Sequence, residues 1–461
     1  VTECGLVRGV DVRGAVSINT IGMVGVGPLI TIPLVLGALH GPLSLAGWAL
    51  GALLALCDGL VWSELGALYP GSGGTYGYLR AVFGRTRAGS LLAFVFVWQT
   101  IFAAPLNQAV GYIGIANYTG YLFPALTSRP WALDAVAVGF GALTILALYR
   151  GIATIARIGI GLAVTVLLTL LCVSASAYAH FTPALVTSLG PHDSVWAGLR
   201  AGLGQGLLIA IYDYLGYNQA SCIGDEVIRP ARTLPLSIVI SIVLVAALYL
   251  SLQVGVLGAV PWPAIVPLAD GSLPPLGQHL ASAIVARSFG AGPATAVTIL
   301  IIVSAFASMY ANLLGYSRIP YAAAVEGQFL RPFAHLHPDH RFPDVSLLTI
   351  GLLALPAALL PLDAVFNALT TGMVLIQSVA QIVALGVLRA RGVRSPYRMW
   401  LYPLPALVAL TGWLFVFASA GGKAIAFGLV TLAIGCGAFF VRASRCRSWP
   451  FAPPASAVHP R

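Results

Sequence analysis

Met23-Val24-Gly25-Val26-Gly27-Pro28-Leu29 interrupts an otherwise continuous apolar run from Ala15 to Leu39. A run of that length crosses a bilayer as one helix. Two glycines and a proline at its middle break the helix where no water can repair the backbone ladder. Such a break survives in lipid only where the freed N–H and C=O groups line a cavity or a ligand. Further along the chain a second interruption falls at Tyr212-Asp213-Tyr214-Leu215-Gly216-Tyr217-Asn218. Paired broken helices in corresponding halves predict a secondary transporter with its site near the membrane midplane.

Composition agrees. Of 461 residues, 59% are hydrophobic and 8% charged, against about 25% charged in soluble domains, and mean hydropathy is +0.91. The apolar runs have helix length and lack strand alternation, which disfavours a membrane β-barrel. The net charge of +10 is read as topology rather than nucleic-acid binding, because the arginines sit in short loops. Cys4, Cys57, Cys172, Cys222, Cys436 and Cys446 form no CxxC pair and read as small residues rather than disulfide or metal partners. No cleavable signal peptide is expected, since the first apolar segment is too long for one.

Apolar runs predict twelve crossings, at about 15–39, 43–68, 88–123, 132–149, 151–179, 198–223, 235–260, 293–317, 345–361, 363–389, 401–420 and 424–441. The third exceeds one crossing, so its end near Asn117–Phe123 is expected to lie along the outer surface. With an inside N-terminus, only Arg129, Arg200, Arg287 and Lys423 of the 24 basic residues fall outside. Both termini are therefore expected in the cytoplasm. The Pro-rich end, residues 449–461, reads as a disordered tail, and the histidine-bearing loop 331–344 as a solvated loop rather than a metal centre.

At the first break, Pro28 opens a half-helix whose N-terminal N–H groups, at Gly25, Val26 and Gly27, suit a carboxylate. The other reading is a kink needed only for packing. Asp213, among Tyr212, Tyr214 and Tyr217, is costly in lipid and is read as amine or cation binding, proton carriage, or capping of the unwound backbone. Asp58 falls near the midplane of the second segment, and Glu64 about 9 Å nearer the cytoplasm. Asp58 is a candidate for proton coupling; Glu64 either couples or pairs with a cytoplasmic arginine. Arg157, about two turns into the fifth segment, either partners a buried acid as a fixed cation or snorkels. Gln99 and Ser304 are candidate wall residues, and Ser304 with Ser308 could supply hydroxyls to a coupling ion. No catalytic or nucleotide motif appears, so an enzyme or ATP-driven pump is not expected, nor any cofactor.

Four patches resemble the amino acid–polyamine–organocation permeases: Gly25-Val26-Gly27-Pro28, Ser63-Glu64-Leu65-Gly66 with Pro70-Gly71-Ser72-Gly73-Gly74-Thr75-Tyr76, Gly224-Asp225-Glu226 with Pro230-Ala231-Arg232-Thr233-Leu234-Pro235, and Ser317-Arg318-Ile319-Pro320. The resemblance implies an all-α integral membrane fold of 12 transmembrane helices. Helices 1 and 6 would be discontinuous, in a 5+5 inverted repeat (LeuT-like) over about 14–180 and 198–392. Two further helices would follow at 400–442, making one domain over residues 1–448. It implies alternating-access transport of amino acids, proton-coupled or exchanging, across the cytoplasmic membrane; polyamine or organic-cation transport is the alternative, and an ion channel the alternative class. The implied partners are the lipid bilayer, a small-molecule amino acid or amine, and H⁺. The implied substrate contacts are Met23, Gly25, Val26, Gly27, Tyr212, Asp213, Gly216 and Tyr217, with Tyr212 at the position of a gating aromatic. Val26 stands where Ser or Ala is frequent, Asn218 where some members carry Glu, and Asp213 where a small residue is common.

Overall fold

The computed structural model describes residues 8–84, 87–150, 152–188, 195–268, 272–360, 365, 369 and 374–445. The expected tail, 449–461, and part of the tenth segment lie outside them. Among the described residues the chain is helical, with two isolated backbone bridges, Val10 to Val227 and Ser72 to Ile223, and no named strand.

The first apolar run forms two helices. α1 (Val12–Met23) starts where the Asp11 carboxylate accepts from Gly14 N–H, and stops where Val24 turns extended. α2 (Gly27–Leu39) starts with Pro28 in its first turn, where a missing N–H costs no helix bond. The pair is bent by 46°. α3 (Ser44–Leu68) leads to a loop turned by Gly73 and Gly74, both at positive φ, and to α4 (Thr75–Phe83). α5 (Arg87–Leu122), α6 (Pro130–Leu148) and α7 (Ile152–Tyr178) follow. α8 (Val195–Tyr214) ends at the second interruption, and α9 (Gln219–Cys222) resumes beyond it. α10 (Pro230–Ala259), α11 (Leu280–Phe289), α12 (Ala291–Val325), α13 (Asp344–Ala357), α14 (Ala380–Ala390), α15 (Leu404–Ser419) and α16 (Gly422–Arg445) follow, with short helical turns in the connections.

Seven of these helices are long and apolar enough to cross a membrane, eight when α1 and α2 count as one span. Four more apolar helices are shorter, among them α11, in a stretch read from sequence as a connection. The third segment is one unbroken helix, α5, of 36 residues, about 54 Å long and so longer than a single crossing. Tyr118 is buried there and donates to Leu29 O, while Asn117 O meets His279 before α11.

The outer faces of the helices are apolar, while polar side chains are buried within a largely apolar core. Leu146, Val164, Leu171, Leu352, Val430 and Ile434 stand exposed on α6, α7, α13 and α16. Asn19, Asp58, Glu64, Gln108, Asp213, Gln219, Gln253 and Asn312 are buried. Apolar faces of this extent are stable against lipid, not water. Inside, α3 packs along α10, α5 along α12, and α2 along α8, which brings the two interruptions together.

Candidate substrate site between two helix interruptions

The backbones of the two breaks touch. Gly216 sits at φ +121°, and a Cβ there would strike the Gly22 carbonyl. Only glycine holds that conformation without strain and also permits the approach. The Tyr249 hydroxyl, from α10, lies 3.0 Å from Met23 O and 3.2 Å from Asp213 O. One side chain thus reaches the carbonyl ends of both broken helices. At the opposite side of the first break the N–H groups of Gly25, Val26 and Gly27 make no hydrogen bond to another described residue. They form the donor end of α2, carrying its positive partial charge.

Asp213 faces that end. Its side chain is 2% exposed; Oδ2 accepts from the Thr31 hydroxyl, and Oδ1 has no partner. A Cβ on Gly27 would overlap Oδ1, so the carboxylate lies directly against the start of α2. Between these groups is a cavity of ≈ 30 Å³, lined by Met23, Gly25, Val26, Gly27, Tyr212, Asp213 and Ser308 among others. A second, of ≈ 40 Å³, lies beyond Tyr212 and Leu215, which line both; Gly216, Tyr217 and Gln377 line the second. Each holds little more than a water-sized group, so the solute-sized hollow expected between the breaks is divided and narrow.

Of the predicted wall residues, Gln99 and Ser304 are not brought there. Gln99 reaches toward Gly428 O on α16 (3.5 Å), and Ser304 meets Thr169 on α7 (3.0 Å). Ser308 is brought there, 3.4 Å from Gly22 O. Asn312, four residues on, also donates to Gly22 O and accepts from Gln219 of α9 at 2.6 Å. Ser304, Ser308 and Asn312 share one helix face by their spacing of four; that stripe is the signal that would have found Asn312. Gln219 and Tyr249 carry no such mark.

The coupling candidates separate. Asp58 is 1% exposed and accepts from the Tyr217 hydroxyl at 2.5 Å, so it is tied to the second interruption. Glu64 pairs with Arg389 at 2.6 Å and accepts from Met399 N–H at 2.8 Å, fastening α3 to α14 and the segment after it. Arg157 is exposed on α7, away from the cavity. In the loop 331–344, His335 contacts Asp344 at 2.7 Å and His337 stacks on Phe342.

The resemblance patches away from the site also find partners. Glu226 and Arg318 form a fully buried ion pair, with contacts of 3.0 and 3.2 Å. Glu226 O accepts from Gly9 and Val10 ahead of α1. Ser72 N–H donates to the Asp225 carboxylate at 2.8 Å, and Gly73 N–H to Cys222 O at 2.9 Å.

Residues 15–448 match the family model described as amino acid permease. The chain is 25% identical over 402 residues to the serine/threonine exchanger SteT of Bacillus subtilis, covering 86% of this chain and 85% of the relative. It is 27% identical over 377 residues to the human cationic amino acid transporter 4, covering 77% and 55%. Against the aspartate-proton symporter of Bacillus subtilis it is 26% identical over 325 residues, covering 67% and 58%.

Proposed function

The chain belongs to the amino acid permease family, a family of multi-pass membrane transporters, and on that premise we propose that it moves amino acids across the cytoplasmic membrane by alternating access. The observation that carries this reading is the contact of two helix interruptions around a polar cavity, with unbonded N–H groups on one wall and a carboxylate on another. The N–H groups of Gly25, Val26 and Gly27 would take the substrate carboxylate. Met23 O, Tyr212, Asp213 and Gly216 would face the amine and side chain, and displacement of Tyr212 would join the two small chambers.

We place this site in a fold of twelve crossings with a five-plus-five inverted repeat. In such a repeat helix 2 corresponds to helix 7, helix 3 to helix 8 and helix 1 to helix 6. The pairing of α3 with α10, α5 with α12 and α2 with α8 supports that assignment. One relative is named an exchanger and another a proton symporter, so both modes of coupling are carried forward. For proton coupling we assign Asp58, which is buried on a tyrosine of the second interruption and belongs to none of the ion pairs among the described residues. Glu64, held by Arg389, is assigned a fastening role.

Counterflow tests the proposal. Purified protein in liposomes preloaded with an amino acid should accumulate the same radiolabelled amino acid faster than empty vesicles do, with saturating uptake. Flux that rises linearly and gains nothing from preloading would make the protein a channel instead.

A further inference from the structure

Asp213 changes what the site accepts. Its carboxylate lies against the start of α2, beside the N–H groups assigned to a substrate carboxylate, yet it takes no hydrogen bond from them. Oδ2 is held by Thr31; Oδ1 is buried and unpartnered, and Asp213 is among the residues lining the first cavity. No described arginine, lysine or histidine is ion-paired with it. A buried carboxylate with one hydrogen bond is a poorly compensated charge, and a cation placed against it relieves that imbalance. The free space lined by Asp213, ≈ 30 Å³, is of the size of a single ammonium head. The neighbouring Tyr212 ring, the Met23 carbonyl end and Asn107 offer an aromatic face and acceptor oxygens, which suit an ammonium.

We infer that Asp213 is a built-in anion that selects a cationic substrate, one that presents an ammonium group to Oδ1. This rests on the transporter reading above and narrows it to cationic amino acids and amines over neutral or acidic amino acids. A neutral zwitterion brings its own carboxylate to the same donors and leaves the site with one negative charge in excess; a solute of net charge +1, such as lysine, leaves it balanced. Thr31 holds Oδ2 and leaves Oδ1 as the oxygen without a hydrogen-bond partner.

The test uses full-length protein in liposomes with radiolabelled lysine, cadaverine, serine and aspartate. Lysine or cadaverine should show saturable uptake and counterflow, with serine and aspartate weaker by at least roughly tenfold, the factor of about 1.4 kcal/mol. Cadaverine, a lysine lacking the carboxylate, tells whether the substrate needs that group besides the cation. Asp213→Asn should lower uptake of the cationic solute roughly 30-fold or more, the range for truncating a buried charge pair, and should narrow its margin over serine. To separate this from misfolding, the variant should elute from size exclusion with wild type while its melting temperature no longer rises with the cationic solute. Serine transport equal to lysine in wild type, or unchanged lysine uptake and lysine-induced stabilisation in Asp213→Asn, would overturn the cationic assignment and leave the permease reading standing. Absence of counterflow for all four solutes and for the remaining amino acids would remove the transporter reading, and this inference with it.

Discussion

Tyr249 is the residue through which the two breaks are held together. Its hydroxyl serves carbonyls at the ends of α1 and α8, and its ring packs edge-on against Trp48 at 5.3 Å and beside Tyr214. Tyr249→Phe keeps the ring contacts and removes the single O–H shared by two buried carbonyl oxygens, which costs about 1–3 kcal/mol. The detergent-solubilised variant should melt earlier than wild type, and uptake should fall with it. A melting temperature and uptake both equal to wild type would show that the two carbonyls need no donor. The residue was not legible in the sequence, because a tyrosine in an unbroken apolar segment reads as core. Gly25, Gly27 and Gly216 were legible because glycine and proline in lipid need a local reason. Asp213 was legible as a buried charge, but which helix end it faces depends on how α8 rotates against α2. Gln99 and Ser304 failed for the same cause: polarity at depth says that a side chain needs a partner, not on which neighbouring helix the partner lies.

Among the elements, the loop after α9 has the most to hold. Its Glu226 is paired with Arg318 of α12, its neighbour Asp225 with the loop before α4, and its backbone with the segment ahead of α1. Removing one member of a fully buried ion pair leaves an uncompensated charge and costs about 3–5 kcal/mol. Arg318→Met and Glu226→Gln should each destabilise strongly, and the double variant should recover part of the loss, a coupling that melting curves of the four proteins measure. Losses that add without recovery would mean that each group is held by its surroundings rather than by the other.

The contact of α11 with the end of α5 responds to acid. His279 Nε2 donates to Asn117 O at 3.1 Å and its ring lies against Tyr118 and Tyr121. Partial burial lowers its pKa from the ordinary value, with the Asn117 carbonyl opposing. The folded protein therefore resists a proton that the unfolded chain accepts near pH 6.5. Stability from this site is fully present above that pH and falls as pH drops below it, until the folded form also protonates. The melting temperature should decline more between pH 7.5 and 5.5 in wild type than in His279→Gln; identical slopes would remove the histidine as the cause. The helices themselves were largely legible, since apolar runs fix where a chain can lie in lipid. α11 was not, being shorter than a crossing, and neither was the unbroken end of α5, because length alone does not tell that Tyr118 is buried there.

At the scale of the whole molecule, charge distribution orients the fold. Four of the 24 basic residues fall on one side of the expected crossings and the rest on the other, and a positive excess marks the cytoplasmic face. The family match and the exposed apolar helix faces support embedding but are indifferent to direction, so orientation needs its own measurement. Ser128, exposed between α5 and α6, is expected outside; His340, exposed between α12 and α13, is expected inside. In a background with all six cysteines replaced, Ser128→Cys should react with a membrane-impermeant maleimide on intact cells, and His340→Cys only after the membrane is opened. The reverse pattern would turn the molecule over.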